Sequence, residues 1–485
     1  MYTSLSSLDL AQQQTNLIAN NIANANTPGY VQQSLPQTEL ISNGVGVGVI
    51  AEPIQRLVNA AAAATANQAN GAAAYSTEMK NILTTYNQTV GQASSSSSLP
   101  STISAFSGQL TVLSASPNDA TAQSEAVSSA QSVINAFHGL DSAIDSTREQ
   151  ADQGVASGVA SVNATLNQLA VNEKELQKAA AGGGSVASYQ DTQDQLIASL
   201  SKELPVKVFQ NGNNGIVVTT DQGTTLYDGQ VRPLSFTPTS NIPSSMRVNP
   251  NTALGQSGGL GTVTVDGQPI QMSGTGSIAA DLQLRDVTLP GFADQLDSLA
   301  GNMIQAFQSA DPTVSSTNPT GLFTAGGAAL ASTTPTPVAR LAGTIALNAT
   351  VDPSQGGDAA LIQAGIHGTP STSTASDNTT VLSFIQALQT SQPYSSGTGL
   401  PTSMTINSAA SQVVGLQQST LSNWTSVNTD RATQAQNATT ALSSATGVSV
   451  DDQLQRLITI QHTYAASAQV MQAAATMLNQ LIQAV

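Results

Sequence analysis

The chain has 485 residues, with 29 Asp and Glu against 13 Lys and Arg, a formal net charge of −16, and only 9% of residues charged where about 25% is usual. That balance excludes the basic footprint of a nucleic-acid or anionic-lipid binder, and no apolar run approaches the ~18 residues that span a bilayer. Cysteine is absent, which excludes disulfides, thiolate nucleophiles and Cys-ligated metals.

Aromatic residues are 4%, and Ser, Thr, Asn and Gln make up nearly two-fifths of the chain. Aliphatic cores under a neutral polar surface are therefore expected. The first base is Arg56 and the first lysine Lys80. Residues 1–25 are thus amphipathic and lack the basic-then-apolar order of a cleaved secretory signal. The expectation is a protein that stays in the cytoplasm or leaves by a route needing no cleaved signal. A cysteine-free chain suits passage, unfolded, through a narrow channel.

Leu8, Ala11, Thr15, Ile18, Ile22 and Ala25 follow three-four spacing and predict an amphipathic helix. It should stop at Thr27-Pro28-Gly29, because proline lacks a donor and disfavours helix at the preceding residue. Residues 44–50 alternate and read as extended. A second helix is expected over 53–92, broken by Ser94–Ser98 and Pro100. Helical patterns continue over 101–113, 119–151 and 155–180. Gly182–Gly184 breaks them, and Tyr189–Leu204 resumes.

Between 205 and 275 the apolar period falls to two, in Val206, Val208, Ile216, Val218, Val263 and Val265. Asn211-Gly212, Asp228-Gly229 and Asp266-Gly267 punctuate it. Thr262–Val265 and Gln268–Met272 flank the clearest hairpin turn, since Asp-Gly suits the positive φ of type I′ turns. Residues 277–310 return to helix, with Leu296, Leu299, Met303, Ile304 and Phe307 on one face.

Residues 311–338 and 367–380 are rich in Pro, Thr, Ser and Gly and read as loops. A strand is expected over Gly343–Asn348 and a short helix over Val381–Leu388. After 405 the pattern is helical, over 407–445 and, past Gly447, over 451–485. There Leu457, Tyr464, Met471, Leu478 and Val485 recur every seven residues. Leu454, Gln461, Ala468, Ala475 and Ile482 hold the companion position, as in a coiled coil.

The expected fold is mixed and mainly α, elongated, with long terminal coiled-coil or bundle helices and a β-rich middle inserted between them. The expected domains are 1–50 with 447–485 as a terminal coiled-coil domain, 51–204 with 277–310 and 405–446 as a helical bundle, and 205–276 with 311–404 as β-rich and loop-rich outer parts. The terminal stripes can pack within one chain or against other copies. A membrane anchor fits poorly, because their polar faces lack Lys and Arg.

Chemistry-bearing constellations are missing from the pattern. His138, His367 and His462 share no ligand spacing. Asp451-Asp452 read as first-turn acids of a helix. Gly44–Gly48 and Gly182–Gly184 lack the context and lysine of a phosphate loop, Ser94–Ser98 lacks a nucleophile elbow, and Trp424 reads as a packing residue. No catalytic, cofactor-binding or metal residue is expected.

Residues 19–30, Ala-Asn-Asn-Ile-Ala-Asn-Ala-Asn-Thr-Pro-Gly-Tyr, resemble the N-terminal signature of bacterial flagellar rod, hook and hook-associated proteins. Gly447-Val448-Ser449-Val450-Asp451-Asp452, followed by Leu454, Leu457, Gln461, Tyr464, Ala466 and Ala468, is similar to the terminal helix of that family. Residues 278–300, with Leu282, Arg285, Asp286, Leu289, Pro290, Leu296, Asp297 and Ala300, resemble its hook-associated branch, as do 342–365. Apart from 342–365, the stretch 310–404 is not recognisable in detail and looks shorter than in longer members, which implies a reduced or absent outer domain.

The resemblance implies a structural protein, not an enzyme, that forms the junction layer between hook and filament. It implies terminal helices lining the inner tube, export by the flagellar type III apparatus, and a location on the extracellular flagellum after a transient cytoplasmic stage. The implied partners are other copies of the chain, the hook protein, a second hook-associated junction protein and a cytoplasmic export chaperone on the C-terminal helix, with no nucleic acid, membrane or cofactor. The expected interface comprises Leu8, Ile18, Asn21, Ile22, Asn24, Asn26, Pro28, Gly29 and Tyr30, with Leu454, Leu457, Gln461, Tyr464, Ala468, Met471, Ala475, Leu478 and Ile482. Asn20, Asn21, Asn24 and Asn26 are expected to cap the helix end or to bond neighbours' backbones. A hook or distal rod subunit is the alternative, which 278–300 argues against. An adhesin-like secreted protein is a weaker one, since it would ordinarily carry a signal or anchor.

Overall fold

A computed structural model describes residues 2–42, 44–91, 95–212, 215–243, 246, 260–272, 274–330, 338–370 and 377–484. Ser94 of the expected break, parts of the two expected loops (331–337 and 371–376) and the last heptad residue, Val485, lie outside that set.

The chain opens with α1 (Tyr2–Ala23), then β1 (Gln33–Ser34), β2 (Gln37–Ser42), β3 (Val45–Ala51) and β4 (Gln55–Arg56). Helices α2 (Ala60–Val90), α3 (Leu99–Ala115), α4 (Ala120–Ala181) and α5 (Ala187–Glu203) follow. The strand-rich stretch holds β5 (Val206–Gln210), β6 (Ile216–Thr220), β7 (Thr225–Tyr227), β8 (Leu234–Ser235), β9 (Thr264–Val265) and β10 (Gln268–Pro269). Next come α6 (Ser277–Gln283), a π-turn (Leu284–Thr288), α7 (Leu289–Ala310), β11 (Phe323–Ala325), α8 (Leu341–Thr344) and β12 (Ile345–Leu347). The chain ends through α9 (Leu361–Ala364), α10 (Thr379–Gln389), β13 (Gln392–Pro393), β14 (Ser403–Met404), α11 (Ile406–Thr446) and α12 (Val450–Ala484). It is a mainly helical fold with small sheets in its middle and long terminal helices.

Several expected elements are corrected. The helix expected from 53 starts at Ala60, because Gln55–Arg56 pair with Gln33–Ser34 as a strand. The helices expected over 119–151 and 155–180 are one, α4, and Gly154 does not interrupt it. A Cβ at Gly154 would lie 2.5 Å from Asp281 Oδ2, so this glycine serves close approach. The first helix ends at Ala23 and leads into turns before Pro28. The strand expected from Gly343 begins at Ile345, after the helical turn α8. The 277–310 helix contains the π-turn, where Leu289 N–H reaches Leu284 C=O. Pro290 explains it: proline has no N–H, and its ring would clash with the carbonyl four residues back.

The described chain forms two compact units. The second, Tyr75–Val159 with Ser235–Thr429, holds a large core drawn from α2, α3, α4, α7, α10 and α11. That core is mostly aliphatic, as expected, with a small group of aromatic rings packed inside it. Phe307 stands edge-on to Phe323 at 5.0 Å and beside Phe384 at 5.2 Å and Phe106 at 5.6 Å. Four of the chain's eight Phe are thus spent in one place.

The same unit buries a charge cluster. Arg285 Nη1 donates to Asp152 Oδ1 at 2.6 Å, and Nε donates to Asp286 Oδ1 at 2.7 Å. Arg148 donates to three carbonyls, of Arg285, Pro243 and Met246. Asp297, also fully buried, accepts the N–H groups of Arg340 and Ala342 at 2.8 Å and so caps α8. In the β9–β10 hairpin Asp266 and Gly267 both have positive φ, 50° and 74°, as the Asp-Gly turn predicts.

The first unit, Met1–Ala74, Ala160–Leu234 and Asp430–Val485, brings the two termini together. The β5–β6–β7 sheet belongs to it, with Ile216, Val218, Leu226 and Tyr227 buried. So does the β2–β3 hairpin, which crosses the start of α1. Thr3 Oγ1 donates to Val47 C=O at 3.3 Å, and Ser6 Oγ accepts from Val49 N–H at 3.2 Å.

Candidate assembly interface

Helices α1 and α12 lie antiparallel. Asn21 Nδ2 donates to Gln453 Oε1 at 3.1 Å near one end of the pair, and Ser467 Oγ meets Ser7 Oγ at 3.5 Å near the other. On α1 the buried side chains are Ser4, Leu10, Ala11, Leu17, Ile18 and Asn21. This face is rotated slightly from the expected stripe, so Leu8 and Ile22 are half-buried.

On α12 the seam toward α1 runs through buried Gln453 and half-buried Leu457, Ile460, Ser467 and Met471. The heptad residues divide. Leu457, Ala468, Met471 and Ala475 are half-buried, whereas Leu454, Gln461, Tyr464, Leu478 and Ile482 are exposed. One partner helix covers a narrow stripe, and α12 carries a wider apolar face than α1 can cover.

The Asn-rich end of α1 is a knot of internal bonds. Asn21 is 1% exposed. Its Oδ1 accepts from Tyr30 Oη at 2.8 Å and from Gln33 N–H at 3.1 Å, and its Nδ2 donates to Gln33 C=O at 2.8 Å. Half-buried Asn24 donates to Asn20 Oδ1 at 2.6 Å and accepts from Thr27 Oγ1 at 3.2 Å. Asn26 and Pro28 are exposed.

Pro28 and Gly29 occupy the middle of a turn closed by Tyr30 N–H on Thr27 C=O at 3.1 Å. Gly29 has φ +78°, the conformation a type II turn requires at that position. A Cβ there would also lie 2.7 Å from Gln195 Nε2, and Gln195 donates to Pro28 C=O at 3.1 Å. Burial, reinforced by the nearby Asp191 carboxylate, pushes the Tyr30 phenol up to about 12, so it remains a donor. Arg56 donates to Asp191 Oδ1 at 2.7 Å and also pairs with Asp194. Burial outweighs that pairing and pushes the Asp191 carboxyl up.

Gln14, Leu17, Ile18 and Asn21 of α1, Gln33–Leu35 and the first turns of α12 enclose a groove of about 420 Å³. Asp452, Gln453, Arg456, Thr459 and Ile460 form its far wall. Asp451 and Asp452 are in the first turn of α12, and Asp452 pairs with Arg456 at 2.9 Å. From Leu457 onward α12 contains no Asp, Glu, Lys or Arg.

Periodicity could not reveal Gln453, Gln33 or Gln195 as the partners that organise this end. Glutamine has no positional signature, and each acts across a long sequence separation. His138 meets the Ile345 carbonyl at 2.8 Å, and His367 the Thr320 carbonyl at 2.8 Å. His462 is exposed on α12. Among the described residues no helix is long and apolar enough to cross a membrane.

Comparison with known proteins matches these parts separately. Residues 1–30 match the flagella basal body rod protein family, and 441–484 match the C-terminal family of flagellar basal body rod FlgEFG proteins. Residues 83–313 match the helical domain of flagellar hook-associated protein FlgK. The chain is 25% identical over 318 residues to flagellar hook-associated protein 1 of Salmonella typhimurium and of Salmonella typhi. Those matches span 63% of this chain and 54% of each relative, so the chain matches about half their length. Its fold is similar to that of the flagellar hook junction protein FlgK from Burkholderia pseudomallei, with a TM-score of 0.58 and 15% identity over 78% of this chain and 99% of that one.

Paired termini of rod type around a helical middle define the class: a component of the bacterial flagellum. The helical-domain match, the curated relatives and the shared fold together support a hook-associated protein 1 assignment.

Proposed function

We propose that this chain is a structural component of the hook–filament junction and assembles through its terminal helices after export. The match of residues 83–313 to the hook-associated helical domain, set between two rod-type terminal segments, carries this reading. Its mechanism is geometric and involves no catalysis. The apolar face of α12 left open in one chain is the surface that neighbours cover, because an exposed apolar stripe gains free energy when buried.

The partners in this reading are other copies, the hook protein, a second hook-associated junction protein, and a cytoplasmic chaperone that shields α12 before export. The protein then acts outside the cell. Deleting the gene tests it, by electron microscopy of the cells and assay of flagellin in the medium. Hooks without filaments, with flagellin lost to the medium, are expected. Missing hooks would point to a rod or hook subunit, and normal motile filaments would overturn the junction role.

A further inference from the structure

Helix α4 turns a line of polar side chains toward the 338–345 segment. His138 Nε2 meets the Ile345 carbonyl at 2.8 Å. Three residues on, the Asp141 carboxylate lies against Gly343, where an added Cβ would collide with its Oδ2. Asp145 follows four residues after Asp141, a spacing that sets the two side chains beside one another on one helix face. Asp141 is 5% exposed. Asp141 Oδ1 and Asp145 Oδ1 are both buried and have no hydrogen-bond partner among the described residues. Buried carboxylate oxygens are rarely left unbonded, because they lose their hydration without return. Two such oxygens on neighbouring residues point to one ligand that serves both.

The surrounding charges select that ligand. Asp145 feels Asp141, Arg148 and Glu149 of its own helix and Arg340 at the start of α8. Arg148 donates to the carbonyls of Arg285, Pro243 and Met246, and Glu149 accepts from Ile242 N–H at 3.3 Å. Two guanidinium groups already oppose the acids and would repel a divalent cation. Among the described residues no group of three His, Asp or Glu could hold one. A proton meets neither objection, since a carboxyl O–H on one residue can donate to the carboxylate of the other. Burial first, and then the Asp141 carboxylate, push the Asp145 carboxyl up to about 6, with Arg148 and Arg340 opposing and Glu149 reinforcing.

The segment facing the pair is under strain. It enters α8 through Arg340 at φ +68°, a left-handed conformation unfavourable for a residue with a Cβ. Asp297 of α7 holds it from the other side, through the Arg340 and Ala342 N–H groups. Beyond α8 the chain runs directly into β12, which pairs with β11.

We propose that Asp141 and Asp145 share one proton and form an acid-closed latch between α4 and the 338–345 segment. With the proton in place the pair carries one negative charge and its oxygens are bonded. Release of the proton to solvent leaves two carboxylates facing one another, and their repulsion loosens α8 and β12. The folded segment prefers the protonated pair, so the latch is complete below pH ~4 and is lost as the pH rises through about 6. It belongs to the second unit and stands whether or not the chain joins hooks.

Hydrogen exchange of the full-length chain, read by mass spectrometry and corrected for the intrinsic effect of pH, tests it. Amides of 341–348 should be about tenfold better protected at pH ~5 than at pH ~7.5, while those of β5 and β6 change by less than about twofold. Asp145→Asn supplies a neutral side chain of the same shape that can donate, and should give high protection at both pH values. Asp141→Asn should do the same, and the double variant should add nothing, because one proton serves both residues. Gly343→Ala displaces the Asp141 carboxylate and should erase the pH response, with helix content unchanged by circular dichroism. Equal protection at the two pH values in the unaltered chain, a pH response that survives Asp145→Asn, or Asn changes whose effects add fully would overturn the proposal. So would added calcium chloride that raises protection at pH ~7.5 to its acid level, which would make the pair a cation site.

Discussion

At the residue scale, Asn21 shows how one side chain ties local sequence to tertiary structure. It bonds Tyr30, Gln33 and Gln453, the last across most of the chain's length. Asn21→Ala leaves the Gln33 peptide groups and Gln453 without these partners in a buried setting, and should cost the terminal unit about 2–3 kcal/mol, read by urea denaturation. Gly29→Ala meets both a positive φ and the Gln195 side chain. It should destabilise that unit by about 1–2 kcal/mol or more, and adding Gln195→Ala should recover only the part due to the clash. Asp145 is a pH-sensitive position of the second unit. Burial first, and then the Asp141 carboxylate, push its carboxyl up to about 6, against the pull of Arg148 and Arg340. The folded state therefore prefers protonated Asp145, so this contribution is complete below pH ~4 and is lost as the pH rises through about 6. Asp145→Asn should stabilise the second unit at pH 7 by about 1–2 kcal/mol, discounted for partial exposure. That gain should vanish at pH 4, as thermal melts at the two pH values would show.

At the element scale, the π-turn and the buried arginines form one device. Pro290 widens the helix at Leu284–Thr288, where Arg285 and Asp286 are fully buried against Asp152 of α4. Asp152→Ala leaves the Arg285 guanidinium undercompensated, with the Thr239 N–H also losing its acceptor. The expected cost is about 3–5 kcal/mol, measured by denaturation, whereas Asp286 alone cannot restore the pairing. Pro290 inside an otherwise helical pattern was the signal for this break. Gly154 was the opposite case, a glycine that looks like a break in sequence and proves to be a close contact inside one continuous α4. The apolar period of α12 was plain in the sequence. Which edge of that face meets α1 was not, because the heptad positions allow two seams and the contact with α1 selects one.

At the scale of the whole molecule, the chain passes between its two units within α2, α4, β8 and α11, and each unit has its own buried side chains. Denaturation should therefore show two transitions, with Asn21→Ala lowering one and Asp152→Ala the other. Coincident shifts of both transitions would show a single cooperative body. Helix and strand content, the Asp-Gly hairpin, the rod-type ends and the hook-associated stretch at 278–300 were all legible from sequence, since each rests on short-range period, turn chemistry or motif. Residues of that stretch such as Arg285, Asp286 and Asp297 prove to be buried partners that hold the second unit together. Tertiary structure alone decided the inward direction of Asn21, the Phe cluster and the fusion of two expected helices into α4. The physical reason is range. Periodicity states which side chains share a face, but burial and register come from contacts such as Asn21 with Gln453, 432 residues apart, which no local pattern encodes.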